Sequence, residues 1–137
     1  MTHSHDLATR IDRMVRRLHS GIHARAPEFD PEKVGPLGGM ALLAIDDAKQ
    51  LSIQALTREM ARDKAQITRL VQMLERKGFL LRLADEADAR VSLLRLTEKG
   101  ETLVNDIKSV ISDTLEGVLE PLSETERATL TTLLGKL

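Results

Sequence analysis

The sequence predicts a mainly α-helical protein that carries one small β-ribbon. Apolar residues recur at steps of three and four through most of the 137 residues, which is the spacing of one helix face. The apolar content is almost entirely aliphatic, with two Phe and no Trp or Tyr, and this mixture favours helices. Residues 79–96 follow a different, strand-like pattern, because short apolar segments there flank a polar stretch.

Length and composition exclude several classes of protein. A chain of this length fits one domain, and the absence of Cys excludes disulfides and thiolate metal sites. No apolar run approaches the roughly 18 residues that a membrane span needs, and residues 1–6 lack the apolar core of a signal peptide. We therefore expect a soluble, cytoplasmic protein with no membrane contact.

The first two helices are predicted from one apolar stripe and one proline-rich break. The stripe of helix 1 consists of apolar residues spaced three and four apart between Leu7 and Ile22. The segment 26–31 contains two prolines and should end that helix at Ala26. A second helix is expected from about Pro36 to about Lys49.

A short third helix and a well-defined fourth helix follow. Ser52 can cap the third helix, whose buried stripe is predicted to be Ile53, Leu56 and Met60. Asp63 should cap the fourth helix in a variant of the capping box with Gln66. The buried face of this fourth helix is predicted to consist of Ile67, Leu70, Val71 and Leu74.

The outward face of the fourth helix has the chemistry of DNA recognition. Its predicted members are Lys64, Ala65, Gln66, Thr68, Arg69, Gln72, Met73 and Arg76. Arg69 can donate to guanine O6 and N7, Gln66 can pair with adenine, and Ala65 or the Thr68 methyl can contact thymine. A solvated helix face is the alternative interpretation of the same residues.

The segment after this helix predicts a ribbon of two strands. Apolar residues in 79–83 and 90–96 flank the polar residues 84–89. A helix followed by such a ribbon is a winged helix-turn-helix, a unit that mostly reads duplex DNA. Arg90 beside the tip can reach a phosphate or the minor groove, and we expect Asp88 to orient it.

The charge distribution supports this interpretation although the net charge is only −1. Residues 58–82 hold seven basic and three acidic side chains, whereas residues 98–137 hold four basic and eight acidic ones. A local basic footprint lies on an otherwise acidic chain.

Two terminal helices and helix 1 predict a homodimer. A fifth helix from Glu98 to about Leu119 would be roughly 30 Å long, and such a helix needs a partner surface. Pro121 ends it, and Ser123 with Glu126 forms a capping box for a last helix. The predicted dimer-interface residues are Leu7, Ile11, Met14, Leu18, Val110, Ile111, Val118, Leu130, Leu133, Leu134 and Leu137.

The stretch from Leu56 to Gly100 resembles the MarR (multiple antibiotic resistance regulator) family of bacterial transcription factors. The most specific part is Asp88 and Arg90 followed by Leu96, Thr97 and, three residues later, Gly100. The chain departs from the family pattern at Ala89, where a second arginine is common, and at Ala61, where glycine is common.

The resemblance implies a single MarR-like domain over 1–137, with a winged helix-turn-helix unit at 36–100 and dimerisation helices at 1–25 and 98–137. It implies a homodimeric repressor that binds a pseudo-palindromic, inverted-repeat operator in double-stranded DNA and is released by a small anionic or phenolic effector. The predicted DNA-contacting residues are Ser52, Lys64, Ala65, Gln66, Thr68, Arg69, Gln72, Arg76, Asp88 and Arg90.

Other functions have less support in the sequence. His19 and His23 are four residues apart on one helix, but zinc would need further ligands such as Asp6, so no metal or cofactor is predicted. No glycine-rich phosphate loop or Ser-His-Asp arrangement is present, and we predict no enzyme. The serious alternative is a winged-helix protein-interaction module without DNA binding, whose exposed helix face should be apolar or acidic.

Overall fold

A computed structural model describes residues 2–137 as six helices and a small antiparallel sheet, in agreement with the predicted mainly α class. The helices are α1 (Thr2–Phe29), α2 (Gly35–Ala48), α3 (Ile53–Met60), α4 (Lys64–Arg76), α5 (Glu98–Leu119) and α6 (Glu124–Leu134). The strands are β1 (Leu51–Ser52), β2 (Leu80–Ala84) and β3 (Ser92–Leu96). None of these helices combines the length and the apolarity needed to cross a bilayer.

The described chain forms two compact units. One unit contains the chain up to Arg25 together with residues 109–137, and the other contains residues 26–108. The second unit holds the winged helix-turn-helix and most of the buried aliphatic side chains. Its fully buried residues include Leu42, Ile45, Leu56, Ile67, Val71, Leu74 and Leu94.

Helix α1 does not end where the proline was expected to end it. The helix continues through Ala26 and Pro27 to Phe29, and the Asp30 amide still donates to the Ala26 carbonyl over 2.7 Å. The prediction was wrong because Pro27 lies near the end of the helix, where its missing N–H removes only one of the helical hydrogen bonds.

The real break is organised by Asp30. One of its carboxylate oxygens accepts from the Val34 amide over 2.8 Å, and the other accepts from the Gly35 amide over 2.9 Å. These bonds satisfy amides at the start of α2, which begins beside Pro36 as predicted. Asp30 therefore acts as a cap for α2 from outside the helix.

The ribbon is part of a three-stranded sheet. Strand β3 lies in the middle and pairs antiparallel with β1 on one side and β2 on the other. Leu80 pairs with Leu96, and Ala84 pairs with Ser92. The two predicted strands are present, whereas the two-residue strand β1 was not predicted.

Helix α6 begins with the predicted capping box. The Ser123 hydroxyl accepts from the Glu126 amide over 3.1 Å, and the Ser123 amide donates to the Glu126 carboxylate over 2.9 Å. The hydrogen bond from the Ser123 amide, followed by one with the Ser123 side chain, holds the pKa of Glu126 below its ordinary value. The start of α6 is therefore defined locally by its own sequence.

Candidate nucleic-acid interface

The turn between α3 and α4 sets the direction in which α4 leaves the protein. Ala61 ends α3 with a φ of 50°, in the left-handed region that favours glycine. Its amide donates to the carbonyl of Arg58. The turn is therefore closed by a residue in a conformation that costs an alanine about 1 kcal/mol.

Ala61→Gly is expected to stabilise the protein by about 0.5 to 1 kcal/mol. Glycine adopts this φ without strain, and the gain is reduced by the greater freedom of glycine in the unfolded chain. Urea denaturation of the two proteins measures the difference. An unchanged or lower midpoint would show that the turn is not strained.

The start of α4 is not closed by the predicted capping box. Asp63 has the extended backbone of an N-cap residue, with φ −65° and ψ 138°, but its side chain makes no capping hydrogen bond. The prediction was wrong because the residue types of a capping box do not by themselves fix the side-chain rotamers. The Asp63 carboxylate still lies at the positive end of the helix dipole.

The predicted outward face of α4 is open to solvent. Lys64, Ala65, Arg69, Gln72 and Arg76 are exposed. Gln66 and Thr68 are half-buried, while Ile67, Val71 and Leu74 on the opposite side are fully buried. In the part of the chain that the structure describes, none of the polar side chains on this face makes a hydrogen bond or ion pair with the protein. The whole polar face is therefore available to a partner.

Ser52 has a structural task that the sequence also predicted. Its hydroxyl oxygen accepts from the Ala55 amide over 3.1 Å and caps α3. The residue also belongs to β1, where it pairs with Leu93. The hydroxyl hydrogen remains a donor, so the capping role is compatible with the predicted DNA contact.

The wing tip pairs Asp88 with Arg90, as the sequence indicated. Nε of Arg90 donates to one carboxylate oxygen of Asp88 over 3.1 Å, and a terminal nitrogen donates to the other over 3.3 Å. The Arg90 amide also donates to Asp88 over 3.1 Å. The Arg90 side chain is 91% exposed, so Asp88 orients the guanidinium without burying it.

The guanidinium and then the amide of Arg90 hold the pKa of Asp88 below its ordinary value of 3.8. Because the charged carboxylate is favoured in the folded protein, the pairing persists at neutral pH and is lost as the pH falls through the lowered pKa. Arg90→Ala is expected to raise the pKa of Asp88 toward 3.8. An NMR titration of the Asp88 carboxyl carbon measures this, and an identical pKa in both proteins would contradict the pairing.

The wing joins α5 through Thr97 and Gly100. The Thr97 hydroxyl donates to the Gly78 carbonyl over 2.5 Å and accepts from the Gly100 amide over 3.1 Å. A Cβ on Gly100 would lie 2.2 Å from the Phe79 carbonyl oxygen. Gly78 itself has a φ of 84°. This junction therefore requires glycine at position 100 and a hydroxyl at position 97.

Two lysines reinforce the same junction. Nζ of Lys99 donates to the Lys77 carbonyl over 2.6 Å and to the Glu32 carboxylate over 2.9 Å. The same ammonium lies 4.6 Å from the centre of the Phe79 ring. Nζ of Lys77 donates to the Glu32 carbonyl. These bonds fix the end of α4 and the start of α5 to the loop before α2.

The sequence model of the MarR family matches residues 39–92, which run from within α2 to the first residue of β3. The match includes α4 and the wing tip with the geometry described above. The chain belongs to the MarR family. The contacts at the wing tip and at the Thr97 junction explain in structural terms why the family pattern has Asp88, Arg90, Thr97 and Gly100 at these positions.

Relatives and solved structures agree with this membership. The transcriptional regulator SarZ of Staphylococcus epidermidis is 33% identical over 92 residues, which are 67% of this chain and 60% of SarZ. The match thus spans about three fifths of that relative. The apo form of MarR from E. coli superposes with a TM-score of 0.76 at 23% identity, covering 95% of this chain and 94% of MarR.

Two further similar structures concern DNA binding by the proteins they describe. A cysteine-to-serine mutant of E. coli MarR in complex with operator DNA has a TM-score of 0.63 at 23% identity and covers 93% of this chain and 92% of MarR. BpsR of Bordetella bronchiseptica, whose DNA binding is regulated by 6-hydroxynicotinic acid, has a TM-score of 0.61 at 23% identity. The match to BpsR covers 93% of this chain and 97% of BpsR. Both likenesses establish a shared MarR fold.

The predicted dimer-interface residues differ in exposure. Leu7, Ile11, Leu133, Leu134 and Leu137 are exposed, and Leu137 is 99% exposed. The half-buried members are Met14, Leu18, Ile111, Val118 and Leu130. Val110 is only 3% exposed within its own chain. Exposed apolar side chains therefore lie on α1 and α6 among polar ones, whereas Val110 contributes to packing inside the subunit.

Sequence reasoning did not single out Arg62 as a site residue. It is exposed and lies directly before Asp63 at the start of α4. A cation beside the first turn of a recognition helix is suited to a phosphate oxygen. Its position two residues before the helix is the signal that could have identified it.

The structure has an open cleft that can be considered for a small ligand. An open cleft of about 480 Å³ is lined by side chains of α2, α3 and α5, with Met40, Leu43 and Met60 next to Asp46, Asp47 and Glu59. Lys108 in the same cleft pairs with Asp46 over 2.7 Å. Within residues 2–137, His, Asp and Glu form no group of three that could hold a metal ion.

Proposed function

We propose that this MarR-family chain is a homodimeric, sequence-specific DNA-binding transcriptional repressor that recognises an inverted-repeat operator. The observation that carries the proposal is the uncovered polar face of α4. Lys64, Arg69 and Arg76 are exposed on that face, and its polar side chains have no partner in the described chain. A protein-interaction module would need an apolar or acidic face at this position.

The chemistry of α4 supports reading of the major groove. The exposed Arg69 can direct two donors to the O6 and N7 acceptors of guanine. Lys64 and Arg62 lie at the start of the helix, the end that recognition helices bring closest to the DNA. The half-buried Gln66 keeps an amide that can pair with adenine.

The wing supports a second contact that depends little on sequence. Arg90 is almost fully exposed and oriented by Asp88, so its guanidinium can reach a phosphate or the edge of the minor groove. Because the family pattern has a second arginine where Ala89 stands, we expect this wing to bind more weakly than wings that have both. The missing arginine lowers the affinity of the wing for DNA and does not change the fold of the ribbon.

The exposed apolar side chains of α1 and α6 support a homodimer. Leu7 and Ile11 on α1, and Leu133 and Leu134 on α6, are each about half exposed. Clusters of this kind on a chain with an acidic second half are suited to a two-fold interface rather than to water. Two copies of α4 would then meet successive major grooves about 34 to 36 Å apart.

Selection of genomic fragments by the purified protein at physiological salt tests the proposal. We expect retained fragments to share an inverted repeat, and we expect affinity to fall with salt at a log–log slope near −0.9 for each neutralised phosphate. Retention of no fragment, or of fragments without a common motif, would contradict it. Release of the retained fragment by a small anionic or phenolic compound is expected from the same assignment, and the DNA binding of the similar protein BpsR is regulated by 6-hydroxynicotinic acid.

A further inference from the structure

One arginine of the wing, Arg82, lies on the same side of the ribbon as buried leucines and is itself partly exposed. Side chains of β2 alternate between its two faces, so Leu80, Arg82 and Ala84 lie on the same side of the ribbon. The strand register places Arg82 opposite Leu94, which is completely buried. A guanidinium in such a row needs a hydrogen-bonding partner.

That partner is Glu75 in the last turn of α4. Nε and a terminal nitrogen of Arg82 both lie 2.8 Å from the same carboxylate oxygen of Glu75. The side chains are 33% and 28% exposed, so the pair is better shielded from water than the ion pair at the wing tip. A planar guanidinium held by two contacts has a fixed orientation.

The outer part of the ribbon has little else to hold it against α4. On the side of the ribbon that carries Arg82, Leu80 and Leu94 are buried, whereas Ala84, nearer the tip on this side, is exposed. Among the described side chains, the pair of Arg82 and Glu75 is the one hydrogen-bonded or ionic link from the ribbon to α4. The tip is closed on itself, because the Asp85 amide donates to the Val91 carbonyl over 2.9 Å.

We propose that Glu75 and Arg82 are positioning residues that set the angle of the wing beside α4 and thereby place Arg90 on the DNA. The proposal rests on the function proposed above. The internal bonds of the tip tie it to the end of the ribbon, so the contact at Arg82, together with the pairing of β3 with β1, fixes where Arg90 lies. Neither Glu75 nor Arg82 needs to touch the DNA.

Glu75→Ala distinguishes a positioning role of Glu75 from a purely electrostatic effect of its charge on DNA binding. The substitution removes a negative charge next to a surface that binds an anion, so charge alone would strengthen DNA binding. Loss of positioning should weaken binding instead, by about threefold to tenfold. Glu59→Ala is the matched control, because Glu59 is an exposed glutamate on the neighbouring helix α3.

A double-mutant cycle on the operator provides the decisive readout. In the parent protein, Arg90→Ala should raise Kd by about tenfold, and in the Glu75→Ala background by less than about twofold, because the displaced arginine no longer contacts DNA. In the Glu59→Ala background the full effect should remain. The double exchange Glu75→Arg with Arg82→Glu should restore the pair and the sensitivity to Arg90→Ala. Equal effects of Arg90→Ala in all backgrounds would overturn the proposal.

A measurement without DNA keeps this inference distinct from the proposed function. Since the chain has no cysteine, Gln72→Cys and Ala87→Cys introduce two unique sites for spin labels on α4 and the wing tip. We expect a narrow distance distribution in the parent and a broader one with Glu75→Ala. An unchanged distribution would refute positioning even if the protein binds its operator. A broadened distribution with Glu75→Ala, when the unlabelled parent protein binds no DNA, would refute the proposed function and the purpose assigned to the pair.

Discussion

Arg69→Ala is expected to lower operator affinity by about 1 to 3 kcal/mol for each subunit and to reduce the preference for operator over unrelated DNA by a similar factor. Arg69 is exposed on the outward face of α4, and no side chain of the described protein engages its guanidinium. The loss should concentrate at one base-pair position in each half-site, because a bidentate contact reads one base.

Arg90→Ala provides the contrast within the same interface. Its contact with phosphate or the minor groove should contribute to operator and random DNA alike, so the affinities for both should fall together and the salt slope should decrease by about one for each subunit. Lys136→Ala removes a charge from the end of the chain and should change neither quantity. Binding titrations with both DNA types at several salt concentrations separate these cases. Parent-like behaviour of both arginine variants would remove them from the DNA-binding site.

Gly100→Ala is expected to destabilise the winged unit by about 3 kcal/mol or more. The new methyl group would lie 2.2 Å from the Phe79 carbonyl oxygen, a backbone atom that cannot rotate away. Relief requires separation of α5 from the turn after α4, and this would also break the hydrogen bonds of Thr97. The higher helix propensity of alanine offsets only about 1 kcal/mol of that cost.

Gly117→Ala is the matched control for this prediction. Gly117 lies inside the same helix, and a Cβ there would meet nothing within 4 Å. The substitution should therefore stabilise the protein by about 0.5 to 1 kcal/mol. Thermal unfolding followed by circular dichroism compares the two variants with the parent. Similar midpoints for Gly100→Ala and the parent would show that the junction is not closely packed.

The helical parts of the fold could be predicted because their signals are local. Ile67, Val71 and Leu74 define one face of α4 by spacing alone, and the same spacing leaves Arg69 and Gln72 outside. The capping box of α6 could also be predicted, because Ser123 and Glu126 lie within one helical turn of each other.

The remaining features depend on contacts between distant residues. Strand β1 has two residues and forms because Leu51 pairs with Leu94. The residues next to Leu51 in the sequence do not indicate this distant partner. The sequence predicts only that Asp30 lies in the break between the first two helices, whereas in the structure its carboxylate caps α2. The link from Glu75 to Arg82 joins a helix to a strand, and spacing predicts neither its geometry nor its burial.

Affinity cleavage from α4 tests the central claim most directly. Gln72→Cys carries an iron chelate on the outward face of α4, and Lys136→Cys carries the same chelate on the exposed end of the chain as a control. On operator DNA we predict two clusters of cuts from position 72, centred about 10 base pairs apart and symmetric about the repeat. The control should give no such pattern. With a conjugate that still binds the operator in a mobility-shift assay, absence of localised cuts from position 72, or a single cluster without its symmetric partner, would contradict recognition by paired α4 helices.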